Sequence, residues 1–259
     1  MASTVDTPHP GAATTPVAGI GRSPVAGTRS HRRRTTGPHP GALAIVTLAI
    51  TVVGVGGSAA AAGAAFPSPT SLGGTVSAIA TAVPGAVAWL AFCTFGSAVP
   101  LGIYAATVYT KLRQLRVAVP GPSIAWFGGS AAAMALMVTG AVLWVIALPE
   151  VAVTPPVTLA LAGVGLLLGG VGFATGLGLL IAGIAVPGLA RGLLPAWLAW
   201  IGLALAVLGE LSFLAMLAPL VAVILPVVRF GGLAWLIAAG FVLHGTHVHD
   251  HPRHWDTAD

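Results

Sequence analysis

PAWLAWIGLALAVLGELSFLAMLAPLVAVILPVVRFGGLAWLIAAGFVL, residues 195–243, contains only two ionisable side chains, Glu210 and Arg229. A transmembrane helix needs about 20 consecutive apolar residues to cross the hydrocarbon core of a bilayer. This stretch is long enough for two such helices, and Pro219 lies near the point where the first must end. It therefore predicts a membrane-embedded helical hairpin, to which the other apolar segments of the chain are added.

The whole chain has the composition of a membrane protein. Charged residues make up 7% of its 259 residues and apolar residues 56%, whereas a soluble domain has about 25% charged residues. The formal net charge of +5 does not indicate a nucleic-acid-binding face, because most of the basic residues lie in a tail and in short loops. We expect the lipid bilayer to be the main partner of this chain and we expect no nucleic acid.

The predicted fold is all-α, with six transmembrane helices in a bundle and a disordered N-terminal tail. The tail covers residues 1–40, which are rich in proline and show no apolar periodicity. The transmembrane domain covers 41–245, and a histidine-rich cytoplasmic tail covers 246–259. The six helices are expected at 42–65, 85–110, 123–148, 157–186, 196–217 and 220–243.

The distribution of lysine and arginine predicts the orientation of the bundle. Five of the 11 basic residues precede the first apolar run, and three more lie between the second and third predicted helices. With six spans, these residues fall on the same face as Arg191 and Arg253, and the positive-inside rule places that face and both termini in the cytoplasm. We expect a plasma-membrane location, with anionic lipid of the inner leaflet as a partner of the arginine triplet 32–34.

The first apolar run has a second interpretation. Its basic flank, short apolar core and alanine-rich second half are also typical of a secretory signal peptide. Cleavage after this run would leave five spans and place the new N-terminus outside the cell.

Glu210 and Arg229 are the main candidates for a site within the membrane. An isolated charge in a bilayer is costly, and such charges usually pair with each other. Because the two residues lie at similar depths in consecutive antiparallel helices, we predict an intramembrane charge pair, with Glu150 as a second partner for Arg229. The pair is either a proton- or ligand-linked site or a static contact that fixes helix register. The static contact is favoured, because a single pair makes no pathway across the membrane.

The predicted helix 157–186 carries a stripe of glycines with an average spacing of 3.5 residues, so that they share one face. The glycines are Gly165, Gly169, Gly172, Gly176 and Gly183. Small residues allow two helices to approach closely in a bilayer. We expect this stripe to pack against another helix of the same chain, with a homodimer or another membrane protein as the alternative.

No motif predicts catalysis. The chain has no phosphate-binding loop, no metalloprotease motif and no hydrolase nucleophile motif, so we predict no catalytic residue, no cofactor and no enzymatic activity. The C-terminal tail offers His247, His249 and His251 as candidate metal ligands, because alternate imidazoles in an extended strand could share a zinc, nickel or copper ion. A solvated tail without a metal site is the favoured interpretation.

Three stretches resemble multi-pass integral membrane proteins of actinobacteria, a group to which no activity is assigned. They are LPAWLAWIGLALAVLGELS, RFGGLAWLIAAGFVL and VYTKLRQLRVAVPGPSIAWFGG. The resemblance covers helices 2 to 6, implies a multi-pass fold in a membrane and assigns no role to any residue.

We therefore expect a non-enzymatic membrane subunit with a structural or partner-binding role. This expectation rests on the glycine-rich packing face and on the lack of a polar path through the spans. A small transporter that uses Glu210 and Arg229 is the alternative function. A metal-handling protein that uses the histidine-rich tail is a third hypothesis.

Overall fold

The computed structural model describes residues 38–63, 72–117 and 119–245. These ranges contain the predicted transmembrane domain except for 64–71 and 118. The predicted disordered tail, apart from its last three residues, lies outside them. The candidate metal ligands His247, His249 and His251 also lie outside them.

The described chain is helical throughout and contains no β-strand. Six of its helices are long and apolar enough to cross a membrane, and they confirm the predicted all-α, six-span fold. These helices are α1 (Pro40–Ala62), α3 (Pro84–Gln114), α4 (Gly121–Ile146), α6 (Pro155–Ala190), α7 (Ala196–Met216) and α8 (Leu220–Gly245). Two shorter helices, α2 (Leu72–Ala82) and α5 (Pro149–Ala152), lie between them.

Proline sets the beginning of most of these helices. Pro40, Pro84 and Pro155 each stand in the first turn of a span, where the missing N–H costs no intrahelical bond and the fixed φ suits the helix. The spans α1, α3, α4 and α6 consequently begin one or two residues before the positions expected from the apolar runs. Helix α3 also extends to Gln114, with Lys111 and Arg113 in its last turn, where cations interact favourably with the helix dipole.

One end of the bundle collects the basic loops, and we call it the basic end. The Arg191 guanidinium, after α6, donates a hydrogen bond of 3.2 Å to the carbonyl of Arg116, after α3. At the beginning of α1 and the end of α8, the rings of His39 and His244 lie 4.0 Å apart between centroids. The alternation of six spans places all these positions on the same side, as the sequence predicts.

Helices α4 and α6 pack with their backbones in close contact. A Cβ built on Gly176 would lie 2.7 Å from the amide nitrogen of Ala132 and 2.9 Å from the carbonyl oxygen of Gly128. On the same face, Cβ atoms built on the other four glycines of the stripe would each come within 4 Å of a residue of α4. Gly183 faces Gly121 and Ala125, Gly169 faces Thr139 and Gly165 faces Val142, while Gly172 comes within 3.9 Å of Ala135. The stripe is thus covered by α4 of the same chain.

The helices are irregular at the end opposite the basic end. Helix α6 contains a π-helical segment, Leu167–Gly172. Helix α8 opens as a 3₁₀ helix over Pro219–Val223 and then passes through a second π-helical segment, Val227–Gly231. Insertions of this kind are rare and frequently occur at functional sites. Both π segments border the same internal space.

Large apolar side chains cover the outside of the bundle. Phe92 on α3, Met134 on α4 and Trp197 on α7 have 71%, 65% and 64% of their surface exposed. A monomeric soluble protein rarely shows apolar surface of this extent. Hydrocarbon chains solvate such side chains without cost, so the outer surface fits a multi-pass membrane protein.

Candidate functional site

A cavity of about 310 Å³ lies between α1, α3, α4, α6 and α8. On α3 it is lined by Leu90, Cys93, Thr94 and Ser97, in the half of the helix that begins at Pro84. On α4 it is lined by Thr139 and Leu143, near the last residue of that helix. These positions place it in the half of the bundle remote from the basic end. Val76 of the short helix α2 also contributes to the wall.

The walls are mostly apolar, with a few small polar groups. Leu90, Leu143, Leu225 and Phe173 supply much of the apolar surface. The polar lining side chains are Thr51, Cys93, Thr94, Ser97, Thr139 and Arg229. An apolar pocket with a few convergent polar groups is the usual form of a small-molecule site.

Three of these hydroxyl groups donate their proton to a backbone carbonyl of their own helix. Thr51 donates to the carbonyl of Thr47 at 2.8 Å, Ser97 to that of Thr94 at 2.8 Å, and Thr139 to that of Ala135 at 2.7 Å. A hydroxyl has one proton and two lone pairs. These three residues therefore keep only acceptor capacity toward the cavity.

Arg229 is the cationic group of the cavity. It lies in the π-helical segment Val227–Gly231, and its Cζ is 4.8 Å from the centroid of the Phe173 ring. This cation–π contact holds the guanidinium against α6. Its Nε is buried and has no hydrogen-bond partner.

The predicted pair between Glu210 and Arg229 is not formed. Among the described residues, no carboxylate oxygen lies within 4.0 Å of the Arg229 guanidinium. Glu210 on α7 faces Gly178, on which a Cβ would lie 3.2 Å from the Glu210 Oε1, and this oxygen is buried without a hydrogen-bond partner. Glu210 does not line the cavity.

The reason for the separation is the position of α6. Arg229 contacts α6 at Phe173 and Glu210 contacts it at Gly178. Five residues along an α-helix correspond to one full turn plus about 140°. The two side chains thus approach α6 from different sides. Glu150, the alternative partner, is exposed on α5 and does not line the cavity either.

The hydroxyl-bearing residues of the cavity were not predicted from the sequence. A signal for them exists, because Thr51, Thr94, Ser97 and Thr139 are hydroxyl residues inside otherwise apolar runs of three different spans. Their common depth becomes visible only when the spans are aligned as antiparallel neighbours. Cys93, the single cysteine of the sequence, is buried and also lines this wall.

A second depression, of about 320 Å³, lies on the other side of Cys93 between α1 and α3. It is lined by aliphatic and aromatic residues such as Ile50, Val53, Trp89 and Phe92. The Trp89 indole N–H donates a hydrogen bond of 3.3 Å to the carbonyl of Val53. This depression carries no charge and offers nothing beyond apolar contact, so the Arg229 cavity is the stronger candidate.

Metal ligands do not cluster in the part of the chain that the structure describes. Over those ranges, no three His, Cys, Asp or Glu side chains are arranged to hold an ion. His39 and His244 stack with each other and His39 also packs on Phe241, at 4.8 Å between ring centroids.

Comparison with protein-family models, curated proteins and solved structures finds no match to this chain.

Proposed function

We propose that this multi-pass membrane protein is a non-enzymatic binding protein, which takes a small apolar molecule from the lipid phase into the cavity at Arg229. The observation that carries the proposal is the cavity itself, an apolar space of about 310 Å³ inside the bundle with a few polar groups on its wall. Tightly packed helical bundles of this size have no structural need for such a space.

The packing below the cavity favours binding over transport. Toward the basic end, the interior is filled by side chains with 0–1% of their surface exposed. They include Leu101, Tyr104, Leu177, Leu180, Leu233 and Leu236. The Tyr104 hydroxyl donates to the carbonyl of Leu236 at 3.0 Å and ties α3 to α8 at this level. A transported molecule would have to displace this core.

The lining residues favour binding over catalysis. Cys93 and Ser97 are the nucleophile candidates on the wall, and the lining contains no His, Asp, Glu or Lys to act as their base. An activated nucleophile requires a base, or a cation within hydrogen-bond reach that lowers its pKa, and the Arg229 guanidinium makes no hydrogen bond to either residue. The Ser97 proton is already donated to a backbone carbonyl.

The basic end is assigned to the cytoplasm by the positive-inside rule. We propose on this basis that the protein lies in the plasma membrane with both termini inside, and that the cavity occupies the outer half of the bilayer. Reporter fusions in the loops at residues 118 and 192 should be read as inside, and a fusion at residue 153 as outside.

Filling the cavity tests the proposed function. Ala162 lines the cavity, while Ala160, two residues earlier on α6, is exposed on the outer surface. Purified protein in nanodiscs should gain thermal stability with laurate, dodecanol or both, and the gain should persist in Ala160→Leu but be lost in Ala162→Leu. A ligand present at 100 times its Kd stabilises a protein by about 2.7 kcal/mol. The proposal would be contradicted if the ligands stabilised Ala160→Leu and Ala162→Leu equally, or if they stabilised neither variant.

A further inference from the structure

We infer that the ligand of this cavity is a single acyl chain of about 12 carbons that carries an anionic oxygen headgroup, and that Arg229 binds this headgroup. The inference rests on the proposed function and names the class of molecule. It is carried by three features of the cavity, which are the unpaired charge of Arg229, the chemistry of the wall and the available volume.

The charge of Arg229 requires an anion that the described chain does not supply. The residue is the tenth of the 26 residues of the span Leu220–Gly245 and thus lies well inside it. A charge at this depth is costly and is normally paired. Its buried Nε lacks a hydrogen-bond partner, and its known neighbour is the face of the Phe173 ring. An anionic group bound from outside the chain would provide the missing partner.

The shape of the guanidinium favours a carboxylate or a phosphate. Arginine presents five N–H donors in a planar fork that binds two oxygens of such a group at once. The contact with the Phe173 ring, whose centroid lies 4.8 Å from the Arg229 Cζ, holds the fork at this wall of the cavity. A neutral hydroxyl headgroup would satisfy one donor and leave the charge without compensation.

Three hydroxyl groups on the wall around Arg229 have no proton left to donate to this anion. The hydroxyls of Thr51, Ser97 and Thr139 donate to backbone carbonyls of their own helices. Their free lone pairs do not attract an anion. Apart from Cys93 and Thr94, the rest of the wall is apolar and suits a hydrocarbon chain. The polar end of the ligand is thereby directed to Arg229.

The volume sets the length of the chain. An apolar protein cavity of about 150 Å³ holds one benzene molecule, with six carbons. The cavity here measures about 310 Å³, which by the same ratio holds a chain of about 12 carbons. Such a chain belongs either to a free fatty acid or to one acyl chain of an anionic phospholipid.

The test compares equilibrium binding of radiolabelled laurate and dodecanol to the full chain in phosphatidylcholine nanodiscs, with empty nanodiscs subtracted. Wild type should bind laurate at least tenfold more tightly than dodecanol. Arg229→Met should lose this preference while still binding dodecanol, and Arg229→Lys should retain part of it. Arg191→Met, which removes a charge at the basic end, should behave as wild type.

The outcomes distinguish the proposed function from the headgroup inference. If wild type binds neither probe, the proposed function fails. If it binds dodecanol as tightly as laurate, or if Arg229→Met leaves laurate binding unchanged, binding stands and the headgroup inference is overturned. A loss of folding in Arg229→Met would also overturn it, because the guanidinium would then have a structural partner.

Laurate binding to nanodiscs of different lipid composition identifies the source of the anion. Replacing part of the phosphatidylcholine by phosphatidylglycerol should displace laurate if an acyl chain and headgroup of a bilayer lipid occupy the cavity. If laurate binding is unchanged by phosphatidylglycerol, the ligand of the cavity is a free fatty acid. Both results support an anionic amphiphile at Arg229.

Discussion

At the scale of single residues, Glu210 and Arg229 are two ionisable side chains within the spans that contact α6 at different residues and do not contact each other. Each has a buried polar atom without a hydrogen-bond partner, and each packs on a different side of α6. The Arg229 guanidinium lines the cavity and the Glu210 carboxylate does not. Their chemistry should therefore be independent.

A double-mutant cycle tests this independence. Glu210→Gln and Arg229→Met should change the free energy of unfolding additively, with a coupling below about 0.5 kcal/mol, as for residues that share no partner. Removing one member of a true buried pair would instead destabilise the protein by about 3–5 kcal/mol, much of it recovered in the double variant. The measurement is reversible unfolding in mixed micelles. A coupling above about 1 kcal/mol would contradict the separation of the two residues.

The sequence identifies both charges as intramembrane residues but does not determine their contacts. Depth follows from counting residues along a span at 1.5 Å each. Contact depends on the angular position of each side chain and on which helix lies between them. The intervening helix here is α6, which supplies both Phe173 and Gly178. No pattern within α7 or α8 encodes that arrangement.

At the scale of helices, the packing of α4 on α6 is the best-defined contact. The glycines of α6 and the small residues of α4 follow the same spacing along two antiparallel helices. In lipid there is no hydrophobic force between helices, so close backbone contact and dispersion supply the attraction. This contact has no room for an added side-chain atom at its centre.

Gly176→Ala should therefore destabilise the bundle by about 1–3 kcal/mol, the usual cost of overpacking. The new Cβ would lie 2.7 Å and 2.9 Å from backbone atoms of α4, which cannot rotate away as a flexible side chain would. Gly163→Ala is the matched control on the same helix, because a Cβ there would meet nothing within 4 Å. Unfolding in mixed micelles should show Gly163→Ala as neutral or slightly stabilising, in keeping with the higher helix propensity of alanine. Equal effects of the two changes would show that the stripe does not pack on α4.

The sequence predicts the existence of these helices better than their internal geometry. Apolar length locates each span, and a face of glycines is visible as a repeat. The π-helical segments Leu167–Gly172 and Val227–Gly231 leave no such signal. Each inserts one extra residue per turn where neighbouring helices allow it, so the cause lies in tertiary packing. These segments border the cavity, and the cavity was consequently not predicted.

At the scale of the whole molecule, composition alone determines the class of fold. A chain with 7% charged residues cannot cover a water-soluble surface, and its apolar runs have the length of bilayer spans. The interior is filled by side chains toward the basic end, and the other half contains a cavity of about 310 Å³. The central claim is that this cavity holds a single-chain amphiphile.

Photo-cross-linking in nanodiscs with a diazirine derivative of laurate, followed by mass-spectrometric mapping of the adducts, tests this claim most directly. Adducts should concentrate on cavity-lining residues such as Leu90, Cys93, Thr139, Leu143 and Leu225. They should be competed by unlabelled laurate and should decrease in Ala162→Leu but not in Ala160→Leu. Adducts spread over lipid-facing side chains such as Phe92, Met134 and Trp144, without competition and without a difference between the two variants, would contradict it.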